Sequence, residues 1–263
     1  MNFDKEKYTM RNLNTAATKR NWLLALAAIM IGPYFIASAF SGKPASPSRA
    51  LVVIKDLTSS TPGEQDSLNN AFISTLLSQS SAGDEVYVTG ITDASFSKPL
   101  VILHGTLPDD RHPLKPKLLA AQQSIISEWK SKSRYSARPY KASDVIGAIY
   151  HASLLLRSKS AEKWIVILSD MRNSTKELDI ENTPEIDREK SLNQLGANGL
   201  IPNLTGVNVA VLSVHTTGKA ISPIYYQSLE NFWRGFFEKA HAEVVAYQAD
   251  ASWLPFNRMK AQF

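Results

Sequence analysis

The sequence predicts an α/β protein with a mostly parallel, doubly wound, Rossmann-like sheet, flanked by helices and preceded by one transmembrane helix. Short apolar runs, such as Leu51–Ile54 and Trp164–Leu168, end at turn-forming polar residues, which is typical of buried strands. These runs alternate with segments of helical periodicity, which indicates a parallel sheet covered on both faces. An uncharged apolar stretch precedes them all.

That apolar stretch is Trp22–Phe40, nineteen residues without a charge. Its length is close to the roughly 20 residues that a helix needs to cross a bilayer. Residues 1–21 hold five cationic and two acidic side chains, so they carry +3 of the net charge of +5. Cations on the amino side alone predict a cytoplasmic amino end and an exported remainder. Ala37–Ala39 resembles a signal-peptidase site, so a cleaved signal peptide is the alternative to a retained anchor.

Charge and cysteine content narrow the class of protein. The net charge of +2 outside the amino tail is too small to favour binding to nucleic acid, so no nucleic-acid partner is expected. The chain has no Cys, which excludes a disulfide scaffold and favours a bacterial periplasm over a disulfide-rich extracellular design. We therefore expect a single-pass protein of the bacterial inner membrane with its carboxyl-terminal domain in the periplasm. Asn173 and Asn203 begin N-x-[ST] sequons, which carry weight only in a eukaryotic secretory pathway.

The pattern along the chain predicts domain limits and the order of elements. Thr61, Pro62 and Glu64 form a helix start, and the strands Glu85–Ile91 and Leu100–His104 are expected as an antiparallel pair at the sheet edge. The further predicted helices are Leu114–Lys132, Asp144–Arg157, Pro184–Leu195 and Pro223–Ala240, and the further strands are Lys163–Ser169, Val207–Val214 and Glu243–Tyr247. The predicted parts are a basic tail (1–21), an anchor (22–40), a linker (41–49), a domain (50–250) and a carboxyl-terminal tail (251–263).

Two acidic residues stand where predicted strands end. Asp56 follows the first apolar run and is succeeded by the hydroxyls of Thr58 and Ser60, and Asp170 ends the later run WIVILSD. Loops at the carboxyl ends of parallel strands build the ligand site of an open α/β sheet, so these side chains are expected to converge. Carboxylate and hydroxyl oxygens, with water, are the ligands that Mg²⁺, Mn²⁺ or Ca²⁺ prefers.

The order of these residues resembles the metal-ion-dependent adhesion site of von Willebrand factor A domains, which begins D-x-S-x-S after the first strand. In the matching string DLTSS, Thr58 replaces the first serine and keeps a hydroxyl. Ser143, in KASDVIGAIYHASLLL, corresponds to the threonine of the family's second loop, and Asp170, in ILSDM, to the aspartate of its third. The glycines usual beside both aspartates are missing, and Met171 follows Asp170. The resemblance covers roughly Leu51–Tyr247.

The resemblance implies a binding site rather than a catalytic one. Thr58, Ser60 and Ser143 would contact the ion directly, and Asp56 and Asp170 would do so directly or through water. One position would stay open for a carboxylate from a partner protein. The implied function is a membrane-tethered, metal-assisted protein-binding module in assembly of an envelope complex, such as a secretion or conjugation apparatus, or in adhesion. No enzyme activity is expected, because the sequence shows no phosphate loop or nucleophile elbow.

Two other functions stay open at this point. One is a structural scaffold that keeps the fold without the metal, in which the hydroxyls only shape their turn. The other is a metal-dependent hydrolase, for which no base or nucleophile is visible. Secondary partner contacts are predicted in a basic, aromatic connection and on the aromatic helix near the carboxyl end, at Arg134, Arg138, Tyr140, Tyr226 and Phe237.

Overall fold

A computed structural model describes residues 48–61, 63–110, 112–133, 140–159, 161–181, 183–214 and 222–249. All of these belong to one unit of the chain, Pro47–Phe263. The predicted amino tail, the predicted anchor and the predicted carboxyl-terminal tail lie outside the described residues, as does most of the predicted linker. Within the described ranges, no helix combines the length and the apolar character that a membrane crossing requires.

The described strands form one six-stranded sheet in the order β3-β2-β1-β4-β5-β6. The β2 and β3 strands are antiparallel, as predicted, and the other neighbouring pairs are parallel. Because the chain builds outward from β1 on one side and from β4 on the other, the topological switch point lies between these two strands. The strands are β1 Arg49–Asp56, β2 Glu85–Ile91, β3 Leu100–Thr106, β4 Glu162–Leu168, β5 Val207–Leu212 and β6 Glu243–Tyr247.

Helices cover both faces of the sheet. They are α1 Gly63–Ser78, α2 Pro116–Ser133, α3 Val145–Leu156, α4 Arg188–Ala197 and α5 Pro223–Lys239. Alternate residues of β1 point to opposite faces, so Val53 packs with α1 and α2 while Ile54 packs with α3, α4 and α5. This double cover explains why Ala50 to Asp56 are all buried, as the continuous apolar run predicts.

The aromatic helix α5 is a core element. Trp233, Phe236 and Phe237 are fully buried against the sheet, and the Trp233 indole Nε1 donates to the Met171 carbonyl at 2.8 Å. The predicted partner contact at Phe237 is therefore wrong. Its position away from the centre of the aromatic stripe does not expose it, because the aromatic side chains of α5 pack around it.

Polar contacts account for the starts of two elements that differ from the prediction. The strand β1 begins at Arg49, which the sequence assigns to the linker; the Arg49 guanidinium Nε donates to an Asp84 carboxylate oxygen at 3.0 Å. The polar helix begins at Arg188 rather than Pro184, because the Asp187 side chain accepts a backbone hydrogen bond from the first turn and so caps the helix there. Both starts depend on polar contacts rather than on apolar periodicity.

Candidate metal centre

The end of β1 carries Asp56 to the switch point of the sheet. One carboxylate oxygen, Oδ1, accepts from the Thr58 backbone N–H at 2.9 Å and from its hydroxyl at 2.7 Å, which makes a tight turn after the strand. The other oxygen, Oδ2, accepts at 2.6 Å from the hydroxyl of Ser169, which directly follows the neighbouring strand β4. Asp56 is only 1% exposed. Its carboxylate is therefore held in place by the loops that follow β1 and β4.

Three hydroxyls lie together beside this carboxylate. The Thr58 and Ser60 oxygens are 2.9 Å apart, and the Ser143 hydroxyl donates to Thr58 Oγ1 at 3.0 Å. Thr58 and Ser143 are 85 residues apart in the chain, and both are buried. The fold thus brings the first two loops of the predicted site into direct contact.

The cap of α3 is Asp144, so the helix begins at Val145, one residue after its predicted start. The Asp144 carboxylate accepts from the backbone N–H of Gly147 at 2.8 Å and of Phe96 at 2.7 Å. Burial raises the pKa of Asp144, and these two backbone hydrogen bonds oppose that rise. Because Asp144 satisfies the helix end, the Ser143 hydroxyl remains available to the candidate site.

Asp170 closes the cluster from the loop after β4. Its carboxylate accepts from the Arg172 backbone N–H at 3.1 Å, and the side chain of Ser60 acts to lower its pKa. The Arg172 guanidinium Nε lies 3.7 Å from the other carboxylate oxygen. Hydrogen bonds thus join four of the predicted ligands, Asp56, Thr58, Ser60 and Ser143, and the carboxyl group of the fifth, Asp170, interacts with Ser60 and Asp56.

The two carboxyl groups make each other's ionisation less favourable. Burial raises the pKa of Asp56, and hydrogen bonds from Ser169 and Thr58 oppose that rise. Burial, followed by the charge of Asp56, raises the pKa of Asp170 to about 7. A pair of buried carboxylates that retains a proton near neutral pH is a place where a cation would replace that proton.

The donor set fits a hard divalent cation in its chemistry. Two carboxylates and three hydroxyls would supply only oxygens, and water would complete the shell, as Mg²⁺ and Mn²⁺ prefer. No group of three or more His, Cys, Asp or Glu able to hold a metal occurs in the part of the chain that the structure describes. A metal at this edge would therefore depend on the hydroxyls as well as on Asp56 and Asp170.

Sequence reasoning missed two polar residues that support the cluster. Ser169 binds Asp56 as described above, and its position directly before Asp170 at the end of β4 was the available signal. The Asn173 side-chain oxygen accepts from the Ile146 backbone N–H at 3.1 Å, and its Nδ2 donates to the Leu178 carbonyl at 2.6 Å. Asn173 is fully buried and joins the third loop to the start of α3. This asparagine, which begins one of the two sequons, therefore has a structural role.

Met171 occupies one of the positions where the resemblance leads us to expect glycine. Its φ of 65° lies in the left-handed region, which favours glycine and is uncommon for other residues. The side chain is fully buried in the core beneath α5. The backbone conformation that suits glycine is thus kept here by a residue that also contributes packing.

The secondary partner residues are only partly described. Tyr140 lies beside the first loop, since its carbonyl accepts from the Ser59 N–H at 2.9 Å, and its side chain is partly buried. Tyr226 is partly buried on α5. Arg134 and Arg138 lie outside the described residues. Partner contacts at Tyr140 and Tyr226 stay predictions.

Comparison with solved structures found similar folds in proteins that share little sequence with this one. The pilus adhesin SpaC of Lactobacillus rhamnosus GG, in an open conformation, is similar with a TM-score of 0.51 and 12% identity, over 83% of this chain and 30% of that one. The PilB minor pilin of Streptococcus sanguinis is similar with a TM-score of 0.52 and 14% identity, over 84% of this chain and 63% of that one. A von Willebrand factor type A structure from Catenulispora acidiphila has a TM-score of 0.40 and 13% identity, over 74% of this chain and 42% of that one.

The fold is von Willebrand factor A-like. The von Willebrand factor A-like domain spans less than two thirds of either pilus protein, so the likeness shows the fold alone. No family model matches the sequence. No curated protein matches it either.

Proposed function

We propose that the von Willebrand factor A-like domain is a protein-binding module that captures an acidic residue of a partner through a bound Mg²⁺ ion, or through Mn²⁺ or Ca²⁺ in its place. The observation that carries this proposal is the meeting of the hydrogen-bonded residues Asp56, Thr58, Ser60 and Ser143 with the carboxyl group of Asp170 at the switch point of the sheet. Ligands bind at this point in open α/β sheets. The raised pKa of Asp170 supports a cation as the ligand.

The neutral and the charged residues of the site would have different roles. Thr58, Ser60 and Ser143 would contact the ion through neutral oxygens, while Asp56 and Asp170 would contact it directly or through water. Because few of these ligands are charged, the ion would keep part of its positive charge. A partner carboxylate at the open coordination position would then bind favourably.

The proposal extends to where the module works. Trp22–Phe40 would anchor it in the bacterial inner membrane, with the domain in the periplasm. There it would take part in assembly of an envelope complex, for secretion, conjugation or adhesion. One protein of similar fold is a pilus adhesin and another is a minor pilin, which supports the broad class of adhesion or protein interaction.

Calorimetric titration of the full-length chain in a mild non-ionic detergent tests the metal. We expect Mg²⁺ and Mn²⁺ to bind the wild type and to raise its unfolding temperature by mass action. Asp56→Asn and Asp170→Asn should remain folded and lose the binding. Glu128→Gln, which removes an exposed charge on α2, serves as the matched control and should keep it.

A metal-free scaffold is the second candidate, and the Arg172 guanidinium favours it. A protein cation 3.7 Å from Asp170 partly balances the charge that the metal would otherwise balance. No binding of either ion across millimolar concentrations, with folded variants that behave like the wild type, would leave this scaffold as the function. A metal-dependent hydrolase would additionally need a base beside the ion, and the described residues place no third acidic or imidazole group in the cluster.

A further inference from the structure

A cavity of about 330 Å³ lies at the amino edge of the sheet, at the opposite end of β4 from Asp170. It sits between the last turns of α3, the start of β4 and the segment that joins α4 to β5. This volume is at the small end of the range for ligand sites. Its polar lining residues are Tyr150, Ser153, Arg157, Lys163, Asn203 and Thr205.

The charge of this cavity has one sign. Arg157 and Lys163 both line it, and none of its described lining residues carries a carboxylate. Glu162 is the neighbour of Lys163 in β4, but alternation along the strand directs the two side chains to opposite faces of the sheet. Neither cation has an ion pair or a side-chain hydrogen bond with any residue in the described ranges.

The amide of Asn203 adds a donor to the two cations. Its oxygen accepts from the Thr205 backbone N–H at 3.0 Å and from the Thr205 hydroxyl at 2.7 Å. The side-chain Nδ2 of Asn203 is therefore left to donate. Positive charge together with free N–H groups is what an oxyanion needs.

Two helix ends oppose an anion here, but their effect is smaller than that of the cations. The carboxyl ends of α3 and α4 face this edge of the sheet, and each carries about half a negative charge. The two full positive charges of Arg157 and Lys163 exceed the two half negative charges of the helix ends, so the net charge around the cavity is positive. Stabilising a helix end would account for Arg157, which directly follows α3, but not for Lys163, which lies in a strand.

We propose that this cavity binds a phosphate group, carried either by a small soluble molecule or by a phospholipid headgroup. The Arg157 guanidinium suits two phosphate oxygens at once, while Lys163 acts as a point charge and Asn203 as a donor. The cavity equals roughly eleven water volumes at about 30 Å³ each, so it accepts a phosphomonoester as well as the bare ion. This site is independent of the metal edge.

Thermal unfolding of the full-length chain in a mild non-ionic detergent with EDTA tests the cavity, because EDTA removes any effect of the metal edge. The probes are inorganic phosphate and glycerol 3-phosphate, compared with KCl at equal ionic strength. At ten times the dissociation constant, we expect the unfolding temperature to rise by about 3–6 °C. Arg157→Gln and Lys163→Gln should lose most of this rise, and Lys130→Gln, an exposed position on α2, should retain it.

A second arm separates the two sources of phosphate. The detergent micelles are doped with lysophosphatidylglycerol or with lysophosphatidylcholine. Protection by the free phosphates alone supports a soluble ligand, and protection by the anionic lysolipid where free phosphate has no effect supports a headgroup. No protection beyond KCl from any probe, or equal protection of the wild type and of both cavity variants, would overturn the proposal and leave these cations without a ligand role.

Discussion

Asp56 and Asp170 share a buried edge of the sheet, and each makes the ionisation of the other harder. The pKa of Asp170 in the folded chain is raised to about 7, while an aspartate in an unfolded chain has a pKa of about 3.9. Folding therefore favours the protonated form. The stability that this group contributes is fully present below about pH 4 and is lost as the pH rises through about 7.

Asp170→Asn should remove this pH dependence in metal-free protein, because the amide has nearly the same shape and does not ionise. In EDTA, the wild type should lose stability between pH 5 and pH 8 relative to the variant, and Mg²⁺ should restore it at pH 8 in the wild type alone. Urea unfolding at both pH values measures the difference. Parallel pH profiles for wild type and variant would contradict the assignment, and Glu128→Gln should follow the wild type.

At position 171 we expect glycine to be better tolerated than alanine, which reverses the usual order inside folded elements. Both substitutions remove a buried methionine side chain, which costs about 2–5 kcal/mol in the free energy of unfolding. Only Met171→Gly relieves the left-handed backbone, worth about 1 kcal/mol. Both variants should be less stable than the wild type in urea, with Met171→Gly above Met171→Ala. The opposite order of midpoints would show that the positive φ is not strained.

The sequence could predict which candidate ligands lie together but not which residues support them. Asp56, Thr58 and Ser60 are close in the chain, and the rule for strand ends brings Asp170 to the same edge. Ser169 and Asn173 bind partners that are 113 and 27 residues away, so their contacts depend on strand register and on the packing of α3. Such distances are invisible to local patterns.

At the scale of elements, a buried ion pair joins β1 to α1. The Lys55 ammonium is 1% exposed and lies 2.5 Å from an Asp66 carboxylate oxygen, while Asp66 is 31% exposed. The two residues are therefore unequal, because water reaches the acid and not the base. Removing Asp66 leaves the buried charge of Lys55 without a partner, whereas removing Lys55 leaves a carboxylate that water can solvate.

Asp66→Ala should lower the free energy of unfolding by about 3–5 kcal/mol, because it leaves Lys55 buried without its partner. Lys55→Met keeps the volume of the buried chain and removes the charge, so it should cost about 1 kcal/mol or less. Chemical denaturation of both variants measures this asymmetry. Equal losses would show that the pair acts as a simple surface contact.

Apolar periodicity predicts the order of the strands and helices, but it does not predict where each of them begins and ends. The antiparallel β2–β3 pair and the helices between parallel strands were predicted because burial on one or both faces leaves a period in the sequence. The start of α4 was placed too early, because Pro184 is a helix-start signal by composition while the Asp187 side chain makes the cap. Two helix-start signals close in sequence cannot be ranked without knowing which side chain accepts the first backbone hydrogen bond.

At the scale of the whole molecule, we expect a single membrane crossing with the carboxyl-terminal domain outside the cytoplasm. Because cations stand only on the amino side of Trp22–Phe40, a reporter fused to the carboxyl end should be active outside the cytoplasm. The chain should also sediment with membranes at its full length. Cell fractionation and mass spectrometry of the intact chain measure both properties. A mature chain beginning at Phe40 in the soluble periplasm would instead show a cleaved signal peptide.

The position of β1 has a mechanical consequence. The polypeptide enters this strand at Arg49 and reaches the candidate metal edge at Asp56, after eight residues. Tension between a partner held at that edge and the polypeptide before Arg49 would run along the strand. The β2 and β4 strands flank β1 in parallel over its length, so the pull would shear two rows of hydrogen bonds at once rather than peel them singly. The central strand is thus the part of the sheet best placed to resist such a force.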